Sequence, residues 1–315
     1  MQCIHIVFDG IKTYSISIIV IRRIRMTGHQ VCKKHLAINR EIQCEVKSID
    51  APFDYTDDMH NHFIHEILIM LDGELSLYTE FSGKVIKRGD VGFIPRYLFH
   101  TADIITADKY DRIVINVSDE ILKKASSKKM DLSQCFEPYD EDDKSLHTIH
   151  LEDDDIETIH KYAVELQKNI EHPVVGSDIL VDAYLKLIMV KITSKYADSP
   201  LVDSPDVLPD IVSRTFEYID AHLTEDLSLS VLEKAIHHNG TYISRCVKKF
   251  SGLSIQQYII AKKIALACRL LQEGYSPSDV CYMSGFNNYS NFSRTFSKQV
   301  GKSPKQLQMA TRDIK

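Results

Sequence analysis

The sequence has no apolar run approaching the roughly 18 residues that a membrane-crossing helix needs. Its nearest approach, YSISIIVIRRIR from Tyr14 to Arg25, breaks off into arginines and shows no small-residue cleavage site, which argues against a secretory leader. The first 25 residues differ in character from the rest of the chain, so residues 1–39 form an N-terminal extension and Met26 is a candidate start. The seven cysteines are scattered, odd in number and without a C-x-x-C pair. Neither a disulfide framework nor a cysteine zinc site is expected, and a reducing cytoplasm is. A Gly-rich phosphate loop and a nucleophile elbow are also missing, so no catalytic residue is assigned and an enzyme is not expected. The acidic runs EPYDEDD (Glu137–Asp143) and EDDD (Glu152–Asp155) read as solvated loop and helix-start charge.

What is present is 315 residues of ordinary composition, 44% hydrophobic and 26% charged, a length that favours two domains. The net charge of −6 conceals an asymmetry. Residues 210–315 carry 14 Lys+Arg against 9 Asp+Glu, a balance of +5, and the remainder carries −11. A basic C-terminal third on an acidic chain suggests a polyanion-binding module.

The expected fold is α+β and multidomain: an N-terminal antiparallel β-barrel, a helical segment, and an all-α C-terminal domain. In residues 40–150, EILIMLDGELSLYTE, KVIKRGDVGFIP and DRIVINVS are short β-rich runs punctuated by Asp-Gly, Ser-Gly and Gly-Asp. Residues 151–196 read as two helices. In the first, Ile156, Ile159, Ala163, Leu166 and Ile170 repeat at spacings of three and four, the seam of a helix pair. The second, Ser177–Tyr196, opens on a capping serine. Ile156, Ile159, Ala163 and Leu166, with the helix Ile179–Ile192, are expected to form a homodimer contact, with a partner helix in the same chain as the alternative. Residues 197–209, with Ser-Pro steps, form a linker. Residues 210–315 show no strand pattern.

That last third repeats internally. At an offset of 49, Ile243–Tyr258 lies on Phe292–Leu307 with six identities in sixteen, among them Arg245/Arg294, Lys249/Lys298 and Gly252/Gly301. Each copy has a short helix (Ser230–His237, Ser278–Met283) expected to open on a capping serine, a tight connection (HHNG, SGFNN), and an amphipathic helix. In the second copy Phe292, Phe296 and Val300 share one side while Asn291, Arg294 and Lys298 share another. This is the pattern of a helix-turn-helix with a basic outer face. The residues expected on double-stranded DNA are Thr241, Tyr242, Ser244, Arg245, Lys248 and Lys249 in the first copy, and Ser290, Asn291, Arg294 and Lys298 in the second. Arg can pair with guanine O6/N7, Asn with an adenine edge, and Lys with phosphate. Residues 254–274, opened by a capping Ser254 and closed by Gly274, read as a helix spacing the copies so that both meet one face of DNA, about 34 Å apart.

Gly285 and Phe286, FSRTF (Phe292–Phe296) and GKSP (Gly301–Pro304) resemble the signature of the AraC family of transcription regulators, over the C-terminal ~95 residues. The resemblance implies promoter-DNA binding by two helix-turn-helix units, with RNA polymerase as a further candidate partner. The first copy departs from that pattern at Glu233 and His237, where a small residue and Gly are frequent, and at Val247. Gln308 stands where a closing Arg is usual.

In HNHFIHEILIMLDG, His60, His62 and Glu66 would share one face of a strand, and GDVGFIPRYLFH adds His100 from a neighbouring strand. Such a set could hold Fe, Mn, Ni or Zn. The spacing resembles both cupin motifs, except that Tyr97 replaces a Gly. The expectation is a metal-free, cofactor-free site in which His60, His62, Glu66 and His100 meet a small-molecule effector beside Leu68, Met70 and Phe93. The chain then reads as a DNA-binding transcription regulator answering to that effector. A metal-dependent cupin enzyme with a DNA-binding tail is the alternative, and a regulator working through a partner protein is a third reading.

Overall fold

The computed structural model describes residues 41–51, 58–106, 108–137, 145–198 and 207–312. The N-terminal extension, most of the linker and most of the EPYDEDD run lie outside the described residues.

Eight strands form two antiparallel sheets. The strands are β1 (Ile42–Asp50), β2 (His65–Asp72), β3 (Glu74–Thr79), β4 (Gly83–Lys87), β5 (Asp90–Ile94), β6 (His100–Ile104), β7 (Lys109–Val117) and β8 (His147–His150). One sheet has the order β1-β7-β2-β5-β8 and the other β4-β3-β6. The expected barrel is therefore corrected to two separate sheets. β1 and β8 end the larger sheet, β4 and β6 end the smaller, and no described edge of one sheet pairs with an edge of the other.

β2 explains its own composition. Its even residues Leu68 and Met70 face the smaller sheet and pack with Leu75, Leu77, Ile86 and Val114. Its odd residues Ile67 and Ile69 pack with Phe93, Ile115 and a layer of helices on the opposite face. A strand covered on both sides is apolar throughout rather than alternating. The covering helices are α1 (Asp119–Ala125), α2 (Asp153–Glu171) and α3 (Ser177–Asp198). Ile156, Ile159, Ala163 and Leu166 of α2 are buried against Cys44 of β1 and against Leu185, Ile188, Met189 and Ile192 of α3. The three-four seam is thus used within the chain, which corrects its reading as a homodimer contact. Ser177 ties the two helices together by donating to Asn169 (2.9 Å) and accepting from the Val174 N–H (2.8 Å).

The C-terminal region is helical throughout its described length: α4 (Asp210–Ala221), α5 (Leu229–Ile236), α6 (Gly240–Ser251), α7 (Ile255–Glu273), α8 (Pro277–Met283), α9 (Tyr289–Val300) and α10 (Pro304–Arg312). The short helices start earlier than expected, and their caps are Ser228 and Ser276; Ser276 accepts the Asp279 N–H, whereas Ser228 makes no such bond. The sequence repeat reappears as a repeat of helix ends. Asn239 and Asn288 cap α6 and α9 with their side chains, and Gly252 and Gly301 close them in the left-handed region. Ser254 and Gln257 form a reciprocal capping box on α7, as Ser303 and Gln306 do on α10. Every one of these pairs is 49 residues apart. Each capping side chain contributes about 1 kcal/mol. α7 divides its apolar side between two cores, Ile255, Tyr258 and Ile259 with α4–α6, and Ile264, Cys268 and Leu271 with α8 and α9.

The five described cysteines are free thiols. Among the described residues no helix is long and apolar enough to cross a membrane.

Candidate nucleic-acid interface and histidine–glutamate cluster

α6 and α9 each bury one side and expose the other. Ile243 and Val247 of α6, and Phe292, Phe296 and Val300 of α9, lie in the cores. Thr241, Tyr242, Arg245, Lys248 and Lys249 are exposed on α6 and Ser244 is half-buried; Ser290, Asn291, Arg294 and Lys298 are exposed on α9. Among the described residues none of Arg245, Lys248, Lys249, Arg294 and Lys298 has an ion-pair partner. Two short helices of matching design thus present unneutralised cations and amide or hydroxyl groups to solvent, a surface suited to phosphates and base edges.

The departures in the first copy are accommodated locally. His237 closes α5 with φ of 59°, the conformation for which Gly is favoured. Glu233 reaches across the turn and accepts the Gly240 N–H at 2.5 Å. A Cβ at Gly240 would come within 2.6 Å of Leu229 and 2.8 Å of Glu233, so the tight turn needs this glycine. Gln308 is buried and donates to the carbonyls of Gly274 (3.3 Å) and Tyr275 (2.7 Å), holding the end of α7 to α10.

His62, Glu66 and His100 converge, with one donor atom from each lying within 4.8 Å of the others. They do so by another route than a shared strand. Only Glu66 is in β2; His60 and His62 come from the preceding segment, which curls as His62 Nδ1 donates to the Ile64 carbonyl at 2.6 Å. Glu66 points the same way as Leu68 and Met70, toward the smaller sheet. His60 and His100 form an isolated antiparallel bridge, exchanging main-chain hydrogen bonds of 3.0 and 2.9 Å, and their rings lie 4.4 Å apart. Of the expected neighbours, Leu68 and Met70 lie in the core on this side of the sheet, whereas Phe93 faces the helices.

Burial works to raise the Glu66 pKa, but the His62 hydrogen bond and the nearby imidazoles overcome it and hold the carboxyl well below its usual range. Burial, together with His60, pushes His100 well below the ordinary imidazole value even though Glu66 opposes. The result is an ionised carboxylate beside a neutral ring.

Tyr97, where the resembled motif has Gly, has φ of 66°. Its N–H donates to the His62 carbonyl at 2.8 Å, and its hydroxyl donates to Gln272 of α7. These bonds, with an edge-on Phe63 ring at 5.7 Å, hold a conformation that costs a residue with a Cβ roughly 1–2 kcal/mol.

Sequence reasoning missed a buried polar junction. Glu80, after β3, accepts from Lys262 (2.8 and 2.9 Å) and from the Tyr258 hydroxyl (2.5 Å), both on α7. Lys262 also pairs with Asp220 of α4 at 2.7 Å. The one signal was Lys262, which shares the mostly apolar YIIAKKIALACRLL with Lys263 and Arg269; nothing in the sequence pointed to Glu80.

Residues 232–310 match the family described as "Helix-turn-helix domain". The chain is similar to the uncharacterized HTH-type transcriptional regulator YobQ of Bacillus subtilis, 36% identical over 89 residues, covering 28% of this chain and 37% of that protein. It is also similar to the probable transcriptional regulator LumQ of Photobacterium leiognathi, 30% identical over 96 residues, covering 30% of this chain and 39% of LumQ. The match thus spans less than two fifths of these relatives. Among solved structures, fatty-acid-bound ToxT from Vibrio cholerae aligns with 86% of this chain and 95% of its own, at 13% identity and a TM-score of 0.37. The C-terminal domain of AraT from Geobacillus stearothermophilus aligns with 33% of this chain and 88% of its own, at 26% identity and a TM-score of 0.32. The C-terminal region of this chain carries a helix-turn-helix domain of the AraC type.

Proposed function

We propose that the chain is a sequence-specific, double-stranded-DNA-binding transcription regulator, with α5–α6 and α8–α9 as two helix-turn-helix units. The observation that carries the reading is the pair of exposed cationic faces on α6 and α9, built on helix caps repeating at 49 residues. α7, of 19 residues, is about 28 Å long at 1.5 Å per residue and sets the spacing of the units. Arg245, Thr241, Asn291 and Arg294 read bases; Lys248, Lys249 and Lys298 meet phosphate. Tyr242, Ser244 and Ser290 contact the backbone beside them.

The sheet domain is the input, and His60, His62, Glu66 and His100 form its effector site. α3 supplies a homodimer contact through the face opposite its buried one. Ile179, Ala183, Leu187 and Val190 line that face, with Ile179 69% and Leu187 45% exposed. Asp182 and Lys186 lie beside that face, already paired with each other at 2.7 Å, and leave it an apolar stripe.

The test is selection of binding sites from random duplex DNA by the full chain. Enrichment of a site with two half-sites about one helical turn apart is expected. Recovery without sequence preference would reject the reading.

A further inference from the structure

α6 and α9 share one frame. Both have 12 residues, Gly240–Ser251 and Tyr289–Val300, and each position of one lies 49 residues from its counterpart in the other. Asn239 and Asn288 cap them, Ile243 and Val247 are buried where Phe292 and Phe296 are, and Gly252 and Gly301 close them. A position counted from the cap therefore points the same way in both helices. Arg245 and Arg294 hold the sixth position, and Lys249 and Lys298 the tenth. The third position differs: Tyr242 in α6 and Asn291 in α9, both exposed. The ninth differs as well, Lys248 against Ser297.

The two third-position side chains offer different chemistry. The Asn291 main-chain N–H is taken by the Asn288 cap at 2.9 Å, while its carboxamide has no partner among the described residues. A carboxamide carries a donor and an acceptor side by side, the match of adenine N6 and N7. Arg294 follows three residues later, about 4.5 Å along the axis. Base pairs are stacked about 3.4 Å apart, so this pair of side chains reaches bases one or two steps apart. Tyr242 has a single hydroxyl, which cannot make the paired bonds to adenine. That hydroxyl meets Cys246 one turn later, and the ring lies beside His238 one turn earlier, centroids 5.7 Å apart. The phenol thus lies along α6, where its hydroxyl can accept from the thiol and still donate to a phosphate oxygen. In place of a second reading group α6 has a second lysine, Lys248.

We propose that the two units divide recognition unequally: α9 selects its half-site by an adenine and a guanine one or two steps apart, through Asn291 and Arg294, whereas α6 selects a guanine through Arg245 and holds the rest of its half-site by phosphate, through Tyr242, Lys248 and Lys249. The DNA site is then not a repeat of one sequence, and the adenine is fixed in one half-site alone. Thr241 does not restore it, because a hydroxyl pairs with several bases. This division rests on the regulator reading and names the class of DNA sequence that the regulator takes.

The test is site selection from random duplex DNA with the full chain and with variants of these exposed positions, each checked by its melting curve. Arg245→Ala and Arg294→Ala should each erase one guanine, which assigns the half-sites to their helices. In the parent, the α9 half-site is expected to fix both bases and the α6 half-site a guanine alone. Asn291→Tyr should abolish an adenine preference of about 10-fold and keep the guanine beside it. Tyr242→Asn, on the same frame, should create an adenine preference of about 10-fold in the α6 half-site. Ser297→Lys should tighten selected and random duplexes alike and raise the magnitude of the salt slope by about 1. A parent that fixes adenine in both half-sites overturns the division and leaves the regulator reading standing. So does a folded Tyr242→Asn protein that gains no adenine preference, or another base fixed in the α6 half-site and lost in Tyr242→Ala. A parent that enriches no site rejects the regulator reading, and the division with it.

Discussion

Glu80 and Lys262, 182 residues apart in the chain, form a buried ion pair at 2.8 and 2.9 Å that joins the sheet domain to the helical domain. Two charges removed from water are held only by dense pairing, and here the Tyr258 hydroxyl and Asp220 complete it. Removing one partner leaves the other buried and uncompensated. Glu80→Gln is therefore expected to destabilise the docked chain by about 3–5 kcal/mol. Calorimetric melting checks it, with one cooperative transition separating into two as the domains uncouple. A single unshifted transition would show the junction to be energetically idle.

The junction also sets a pH window. Burial opposes the Lys262 charge, but Glu80 and Asp220 outweigh it and raise its pKa above the ordinary 10.5. A raised folded pKa gives a contribution that is complete below the unfolded value and lost as pH rises through the folded one. The parent should lose this contribution as pH rises above about 10.5, and Lys262→Met should lack that alkaline loss. An alkaline profile identical in parent and variant would assign the effect to another group.

Arg294 and Lys298 sit on one exposed face of α9 but are expected to act differently. A guanidinium paired with a base edge discriminates between base pairs, at about 1–3 kcal/mol for each good pair. Arg294→Ala should lose that much affinity for the selected site and relax preference at one or two positions of one half-site. Site selection with the variant decides: an unchanged preference would remove Arg294 from base reading.

For the lysines the expected signature is uniform. Lys248→Ala, Lys249→Ala and Lys298→Ala should each weaken specific and random duplexes alike, and lower the magnitude of the salt slope by about 1, because each phosphate contact releases roughly one counterion. Titrations across a salt series measure it. A slope that does not move would make these side chains solvated surface.

The helical repeat was legible because its information is local. Asn239, Gly252 and Ser254 act on backbone groups within a few residues, and the same residue types recur at Asn288, Gly301 and Ser303. The cluster was half legible. Its four members could be named from spacing, but the route of His62 to Glu66 depends on a turn closed by the Ile64 carbonyl, which no period-two pattern encodes. Sheet closure was not legible: β2 reads as apolar throughout whether its second face meets helices or another part of a barrel. Glu80 was least legible, since its partners lie in another domain and a lone acid between two strands resembles any loop charge.

The middle helices separate two kinds of apolar residue that look alike in sequence. Ile159 is fully buried between α2, α3 and the sheet, while Leu187 and Ile179 lie on the uncovered face of α3. A charge at Ile159 has no route to water and should cost several kcal/mol, a large share of the roughly 5–15 kcal/mol that typically stabilises a domain. Leu187→Lys and Ile179→Lys place the ammonium in solvent and should leave the melting transition of the monomeric fold within about 0.5 kcal/mol. If α3 joins two copies, the same changes set like charges against each other across the interface. Sedimentation should then show a folded monomer where the parent is a dimer. A folded dimer in both variants would place the contact elsewhere, and a parent that is monomeric at high concentration would leave the face without a second copy to cover it.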